Sequence, residues 1–428
     1  MNSGFDLGPY PDLAGFDDAL RRDGTDGLAA FATRFEVDDS PMIYLDGNSL
    51  GRLPSATPAV VDQEVRSAWG KRLIRSWNEG WWDLATEVGD LVAPLIGASP
   101  GEVVVSESTT TNLHKLAGAA LDARPGRSKI VTDDLNFPSD VHVLSGLAHR
   151  SDRVLEIVPS DGVHGPLPAL AAAIDDTTAL VSLSLTAFKS GYTYDLAALT
   201  AAAHEAGALV LWDLSHSVGA VEVDLNGANA DLAVGCTYKF LNGGPGAPAF
   251  LYVRGDLIHE LRNPITGWWG DADPFEFGLL HEPANDIRRF QVGTPPVLSL
   301  AAAQAGIGLV AEAGIEAVAA KGRALVAFVE ELVASRLAPL GFRWASPRDP
   351  ARRGAHAALS HDDAWRVTQA LVELGEVIPD FRVPDNVRLG LSPLTTSFVD
   401  VHTAVERLAR LVESGAHAGY PAVRTAIT

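Results

Sequence analysis

The chain has 428 residues, 47% hydrophobic and 20% charged, which suits a globular protein of about two domains and excludes a disordered one. A formal net charge of −21 leaves no surplus of Lys and Arg for nucleic acid or an anionic membrane surface, so neither partner is expected. The single cysteine, Cys236, excludes an internal disulfide framework, and the start MNSGFDLGPYPDLAGFDD lacks a basic then apolar leader, so a cytoplasmic location is expected.

In chain order, residues 1–55 show no strong hydrophobic period before YLDGNSLG (44–51) and are expected to pack with a small C-terminal domain. A helix is predicted over 57–76. Between about 90 and 255, short β-rich runs alternate with Ala/Leu-rich ones. Strands are predicted at 103–106, 128–132, 153–158, 179–185, 208–213, 232–235 and 249–253, and helices at 110–123, 139–148, 167–174 and 196–206. The strand runs are nearly continuous in apolar residues, as strands covered on both faces are. The fold class is therefore α/β, a large domain (56–297) whose mainly parallel sheet is wound by helices. A helical region at 298–338, broken near Gly314, then leads into a smaller α+β domain (298–428) with strands at 341–345 and 387–391 and helices at 362–374 and 400–414.

The chemistry concentrates in WDLSHSVGAV (212–221) and GCTYKFLNGGPG (235–246). One apolar run delivers Asp213 to its end. Twenty-six positions later Lys239 follows a second run and precedes a Gly/Pro-rich turn. A lysine that condenses with an aldehyde, and a carboxylate that keeps a pyridine nitrogen protonated, are what a pyridoxal-phosphate enzyme needs. A lone lysine after a strand is more often a surface residue, so the argument rests on its companions. Ser106–Thr111 closes an apolar strand just before a helix, either a phosphate cradle or simply an N-cap. Phe137, in the turn NFPSD (136–140), can lie on a pyridine ring or staple the next helix. Ser184 ends another strand, and His216 follows Asp213. Arg388, between Val387 and Leu389, suits a substrate carboxylate or a structural ion pair. Asn48 and Ser49 can touch substrate or only build a turn. Trp77, Trp81, Trp82, Trp268 and Trp269 can wall an aryl ring, although core packing is favoured for Trp81 and Trp82. Cys236 reads as a buried small hydrophobe. No paired Cys or HExxH spacing points to a metal.

These motifs, with LIRSWN (73–78), NLHKL (112–116), KSGY (189–192), PITGWWG (264–270), RRFQVGTPP (288–296) and VRLGLSPL (387–394), run nearly the whole length, and the chain resembles the kynureninases. The resemblance implies a fold-type-I pyridoxal 5'-phosphate enzyme, related to the class V aminotransferases. Such an enzyme hydrolyses the Cβ–Cγ bond of L-kynurenine, or of its 3-hydroxy form, to the anthranilate and L-alanine, in tryptophan breakdown. It assigns the cofactor contacts to Thr109, Thr110, Phe137, Ser139, Asp140, Ser184, Asp213, His216 and Tyr238, with Lys239 as the covalent anchor. Trp268 and Thr294 are implied to arrive from a second subunit of a homodimer, and Arg388 to take the substrate carboxylate. His114 and Thr294 occupy positions implied to vary with ring-hydroxyl preference, and Asp271 stands where a His is common. Tyr238 is the candidate acid–base group, or only a phosphate ligand. Another fold-type-I activity (an aminotransferase or lyase) and a non-catalytic binding protein on the same scaffold remain the alternatives, although a desulfurase needs a mobile cysteine that Cys236 does not supply.

Overall fold

The computed structural model describes residues 13–37 and 40–423. Its strands, in chain order, are β1 (Ile43–Tyr44), β2 (Val103–Val105), β3 (Lys129–Asp133), β4 (Val154–Val158), β5 (Thr178–Ser184), β6 (Leu209–Asp213), β7 (Leu232–Gly235), β8 (Phe250–Val253), β9 (Arg343–Trp344), β10 (His356–Ser360), β11 (Val377–Ile378), β12 (Asp380–Arg382) and β13 (Asn386–Gly390).

The apolar runs of the first half assemble one seven-stranded sheet, ordered β2-β8-β7-β6-β5-β3-β4. β4, β3, β5, β6 and β7 are parallel, while β8 and β2 run antiparallel at one side. Every residue of β2 and of β5 to β8 is buried. Helices cover both faces of such a sheet, which is why these strands carry no polar alternation. Crossover helices Thr109–Asp122, Pro138–Arg150, Leu167–Ala173 and Leu196–Glu205 lie within a residue or two of their predicted spans.

The second half forms a four-stranded sheet, β12-β13-β10-β9, backed by Ala364–Glu373 and Phe398–Glu413. It has its own core around Leu325, Val329, Phe342, Leu371, Val387 and Leu408. The N-terminal segment reaches both cores: Leu28 and Phe35 enter the first, and Ala19, Ile43 and Leu45 the second. β1 pairs in parallel with β11, and the Asp23 carboxylate accepts hydrogen bonds from the Phe398 and Val399 amides at the start of the last long helix.

Two expectations need correcting. The helix Val297–Ala313 buries Leu300, Ala303, Ile307 and Val310 in the first core. The change of core therefore comes beyond Gly314, where the chain bends by 84° into the helical stretch Ile315–Leu340, and not at 297/298. The helix predicted over 57–76 is regular only through Thr57–Gln63. It widens into π turns over Glu64–Arg72 and tightens over Leu73–Glu79, with the Ser76 hydroxyl donating to the Ala68 carbonyl at 2.8 Å.

Candidate active site

The parallel strands deliver their carboxyl ends to one cleft, with a cavity of about 750 Å³ between the large sheet and the β12–β13 hairpin. Asp213 is the last residue of β6 and in register with Ser184 on β5. It is 5% exposed. Its Oδ1 accepts from the Ser215 amide at 2.9 Å and hydroxyl at 2.6 Å, and Ser184 Oγ lies 3.5 Å from Oδ2. Asp140 is buried beside it. Burial, and then the neighbouring Asp213, raise the Asp140 carboxyl well above the usual range, which favours its neutral form.

Lys239 sits in the turn after β7, and the surrounding backbone explains the glycines there. Gly51 donates its amide to the Tyr238 carbonyl at 2.8 Å. It approaches so closely that a Cβ there would stand 2.3 Å from the Lys239 carbonyl oxygen. On the other side a Cβ on Gly306 would stand 2.4 Å from the Leu241 carbonyl oxygen. The lysine turn is thus clamped between the YLDGNSLG segment and the helix Val297–Ala313.

Lys239 Nζ lies 2.8 Å from His216 Nε2 and faces the Phe137 ring at 5.9 Å and the Tyr238 ring at 5.8 Å from their centroids. Burial, and then the neighbouring lysine, hold the His216 imidazole well below its usual pKa, so it is neutral and Nε2 can accept a hydrogen bond from Nζ. The Tyr238 phenol is pushed above its ordinary range by the Cys236 sulfur, burial and Asp213, and so keeps its proton. Cys236 is buried against Ser215, where burial raises its thiol pKa; it is not a mobile nucleophile.

Opposite Asp213, the helix Thr109–Asp122 begins one residue before its predicted start, within the hydroxyl run. Ser108 caps it by accepting from the Thr111 amide at 3.2 Å. Its first turn, including Thr109 and Thr110, lines the cleft, and the Ser106 hydroxyl is buried there without a partner. Free first-turn amides, the positive end of the helix dipole and an orphaned hydroxyl fit a phosphate. With Lys239 and Asp213 at the far side, this donor set suits a phosphorylated pyridine aldehyde.

The cleft also gathers Asn48, Ser49, Phe137, Ser139, Thr294 and Arg388. Thr294, expected from a second chain, lines the cleft of its own chain because the segment 294–296 leads straight into the helix beside the lysine turn. Ser184 lies beneath Asp213, outside the lining. The structure does not bring His114 into the cleft, since its Nε2 turns 3.0 Å from Arg150 Nη2 on the adjacent helix. Trp268 faces a separate hollow with Asp271 and Phe277. The tryptophans build an aromatic cluster: Trp82 and Trp77 lie 4.5 and 5.1 Å from Trp269, and Trp81 lies 5.3 Å from Trp77. None of them walls this cleft. Asp271 uses its carboxylate on the Asp273 and Glu282 amides.

Arg388 is fully buried, ion-paired with Asp380 and hydrogen-bonded to Ser49 and the Phe188 carbonyl, so the structural ion pair is present at a residue that also lines the cleft. Sequence reasoning missed Ser215, which orients Asp213 from within WDLSHS, and Arg382, six residues before Arg388 and in the same cleft. Neither position carries a local signal that marks it as facing a cleft.

The chain is similar to known proteins over most of its length. Residues 43–361 match the family model described as aminotransferase class-V, and 318–408 match that described as the kynureninase C-terminal domain. The kynureninase of Pseudomonas fluorescens is 42% identical over 404 residues, 93% of this chain and 95% of that one. The chain belongs to the kynureninase family. The kynureninase of Burkholderia pseudomallei is likewise 42% identical, over 96% of this chain and 99% of its own. Among solved structures, a cysteine desulfurase of Escherichia coli aligns with a TM-score of 0.75 at 19% identity, covering 91% of this chain and 99% of that one. One from Thermococcus onnurineus aligns with a TM-score of 0.70 at 20% identity, covering 87% and 95%. This second likeness speaks to fold alone.

Proposed function

We propose that this chain hydrolyses the Cβ–Cγ bond of L-kynurenine, giving anthranilate and L-alanine, in tryptophan breakdown. The observation that carries the reading is the meeting of Lys239, His216 and Asp213 in one cleft opposite a helix N-terminus, in a chain of this family.

Pyridoxal phosphate, held by the Thr109–Thr110 turn, Ser106, Phe137, Ser139, Asp213 and Lys239, supplies the electron sink for bond breaking at the substrate's α and β carbons. Asp213, fixed on Oδ1 by Ser215, is the carboxylate that would pair with the pyridine nitrogen. Neutral Asp140 adds burial without a second charge. Lys239 Nζ removes the α proton, and the neutral His216 imidazole steers it by accepting its hydrogen bond. The γ-carbonyl must then take up water. Tyr238, which keeps its proton, is placed to donate to the oxyanion that forms. Arg388 anchors the α-carboxylate.

We further infer a cytoplasmic homodimer in which Trp268 serves the partner's site. Support comes from apolar side chains left open to solvent: Trp69, Ile74, Phe275, Phe277, Leu279 and Leu280 are each more than half exposed. No single helix among the described residues is long and apolar enough to cross a membrane.

The test is to incubate pure protein and cofactor separately with L-kynurenine and 3-hydroxy-L-kynurenine. Release of the fluorescent aryl acid with one equivalent of alanine supports the reading. Amino transfer to a keto acid without aryl release would replace it with an aminotransferase.

A further inference from the structure

We propose that Arg382 is a second binding residue for the substrate's α-carboxylate, taking the oxygen that Arg388 cannot. The proposal deepens the kynurenine reading and rests on it.

A guanidinium has five N–H donors and grips a carboxylate side-on only when two neighbouring donors are free. Arg388 has spent four of its five. Nη1 donates to the Phe188 carbonyl, and Nη2 donates to Ser49 Oγ at 2.9 Å and to Asp380 Oδ2. Nε meets the Asn48 amide, whose oxygen accepts at 3.1 Å in the orientation that also places its nitrogen 3.2 Å from Asp46. One Nη1–H remains. A carboxylate arriving at Arg388 therefore gains a single hydrogen bond there, and its second oxygen needs another cation.

Arg382 is the residue with donors to give. It lines the same cleft from β12, and its side chain keeps 30% of its exposure where that of Arg388 keeps 1%. Nη2 rests on Asp380 Oδ2 at 2.6 Å, Nη1 reaches the Phe381 carbonyl only at 3.4 Å, and Nε is buried without a partner. Asp380 is 1% exposed and accepts both arginines and Ser49 on the same oxygen, Oδ2, while Oδ1 accepts nothing. One shared counter-ion thus offsets the repulsion between two guanidiniums parked side by side at the cavity. Bound this way, the carboxylate would bridge Nη1 of Arg388 and Nε of Arg382.

The experiment compares Arg382→Gln and Arg382→Lys with the wild-type holoenzyme. It measures kcat and KM for L-kynurenine, and the inhibition constant of the decarboxylated amine, which has the aryl ketone but no α-carboxylate. In Arg382→Gln we expect KM to rise about tenfold or more with kcat changed less than about threefold, while the amine inhibits as it does the wild type. Arg382→Lys should recover part of the loss, since it keeps the charge but not the fork. An unchanged KM in Arg382→Gln would overturn the proposal. So would equal weakening of kynurenine and the amine, or loss of bound cofactor in both variants, because each marks a structural role. Failure of the kynurenine reading looks different: the wild type itself would release no anthranilate.

Discussion

Buried charge at single positions ties this site to measurable energetics. Lys115 is fully buried on the cofactor helix, with Nζ donating to the Phe290 carbonyl at 2.7 Å, and burial lowers its pKa to about 8. Below that pH the folded protein carries a poorly solvated ammonium. Between pH 8 and the ordinary lysine value the unfolded chain binds the proton and the folded one does not, so stability rises with pH across that window. Lys115→Met should therefore stabilise the protein at pH 7 by about 1–2 kcal/mol, after the lost hydrogen bond is counted, with the advantage closing toward pH 10. Denaturant midpoints at pH 7 and pH 10 check this. At the same scale Asp213, Lys239 and the hydroxyl run were legible because their residue types are rare at strand ends. Arg382 and Ser215 were not, because nothing local marks which of several polar residues will face a cleft. The neutrality of Asp140 and His216 comes from burial by distant elements, which no sequence window reports.

Among the elements, the long strands of the large sheet were readable because they are apolar on both faces, and the crossover helices because Ser108 and Asp195 cap them by hydrogen bond. The small sheet was half missed. Its β10 and β12 went unread; β12 has three residues and carries Asp380 and Arg382, so no period could announce it. β1 pairs with β11 across most of the chain, a contact set by tertiary packing. The helix 57–76 departs from its pattern where π turns begin at Glu64. The lysine turn makes a prediction here. Gly51→Ala would place a methyl group on the Lys239 carbonyl. It should cost on the order of 2 kcal/mol in unfolding and weaken pyridoxal phosphate binding, read by denaturation and cofactor titration.

For the whole molecule, the cleft joins two cores, and the exposed apolar side chains elsewhere on the surface bear on the proposed second copy. If Trp268 completes the partner's site, a mixture of Lys239→Ala and Trp268→Ala chains regains activity through hybrid dimers. Each hybrid holds one site with both residues intact. Equal mixing should restore about a quarter of wild-type turnover, since half the dimers are hybrids with one good site each. Steady-state assays after remixing measure it, and no recovery would mean that Trp268 serves only the aromatic cluster of its own chain.

The covalent role of Lys239 is the claim from which the chemistry follows, and it has a direct reading. Borohydride reduction of the cofactor-loaded protein, followed by digestion and mass spectrometry, should place one pyridoxyl group on the peptide containing Lys239 and none elsewhere. A pyridoxyl group on Lys115 or another lysine, or no label at all, would contradict the account.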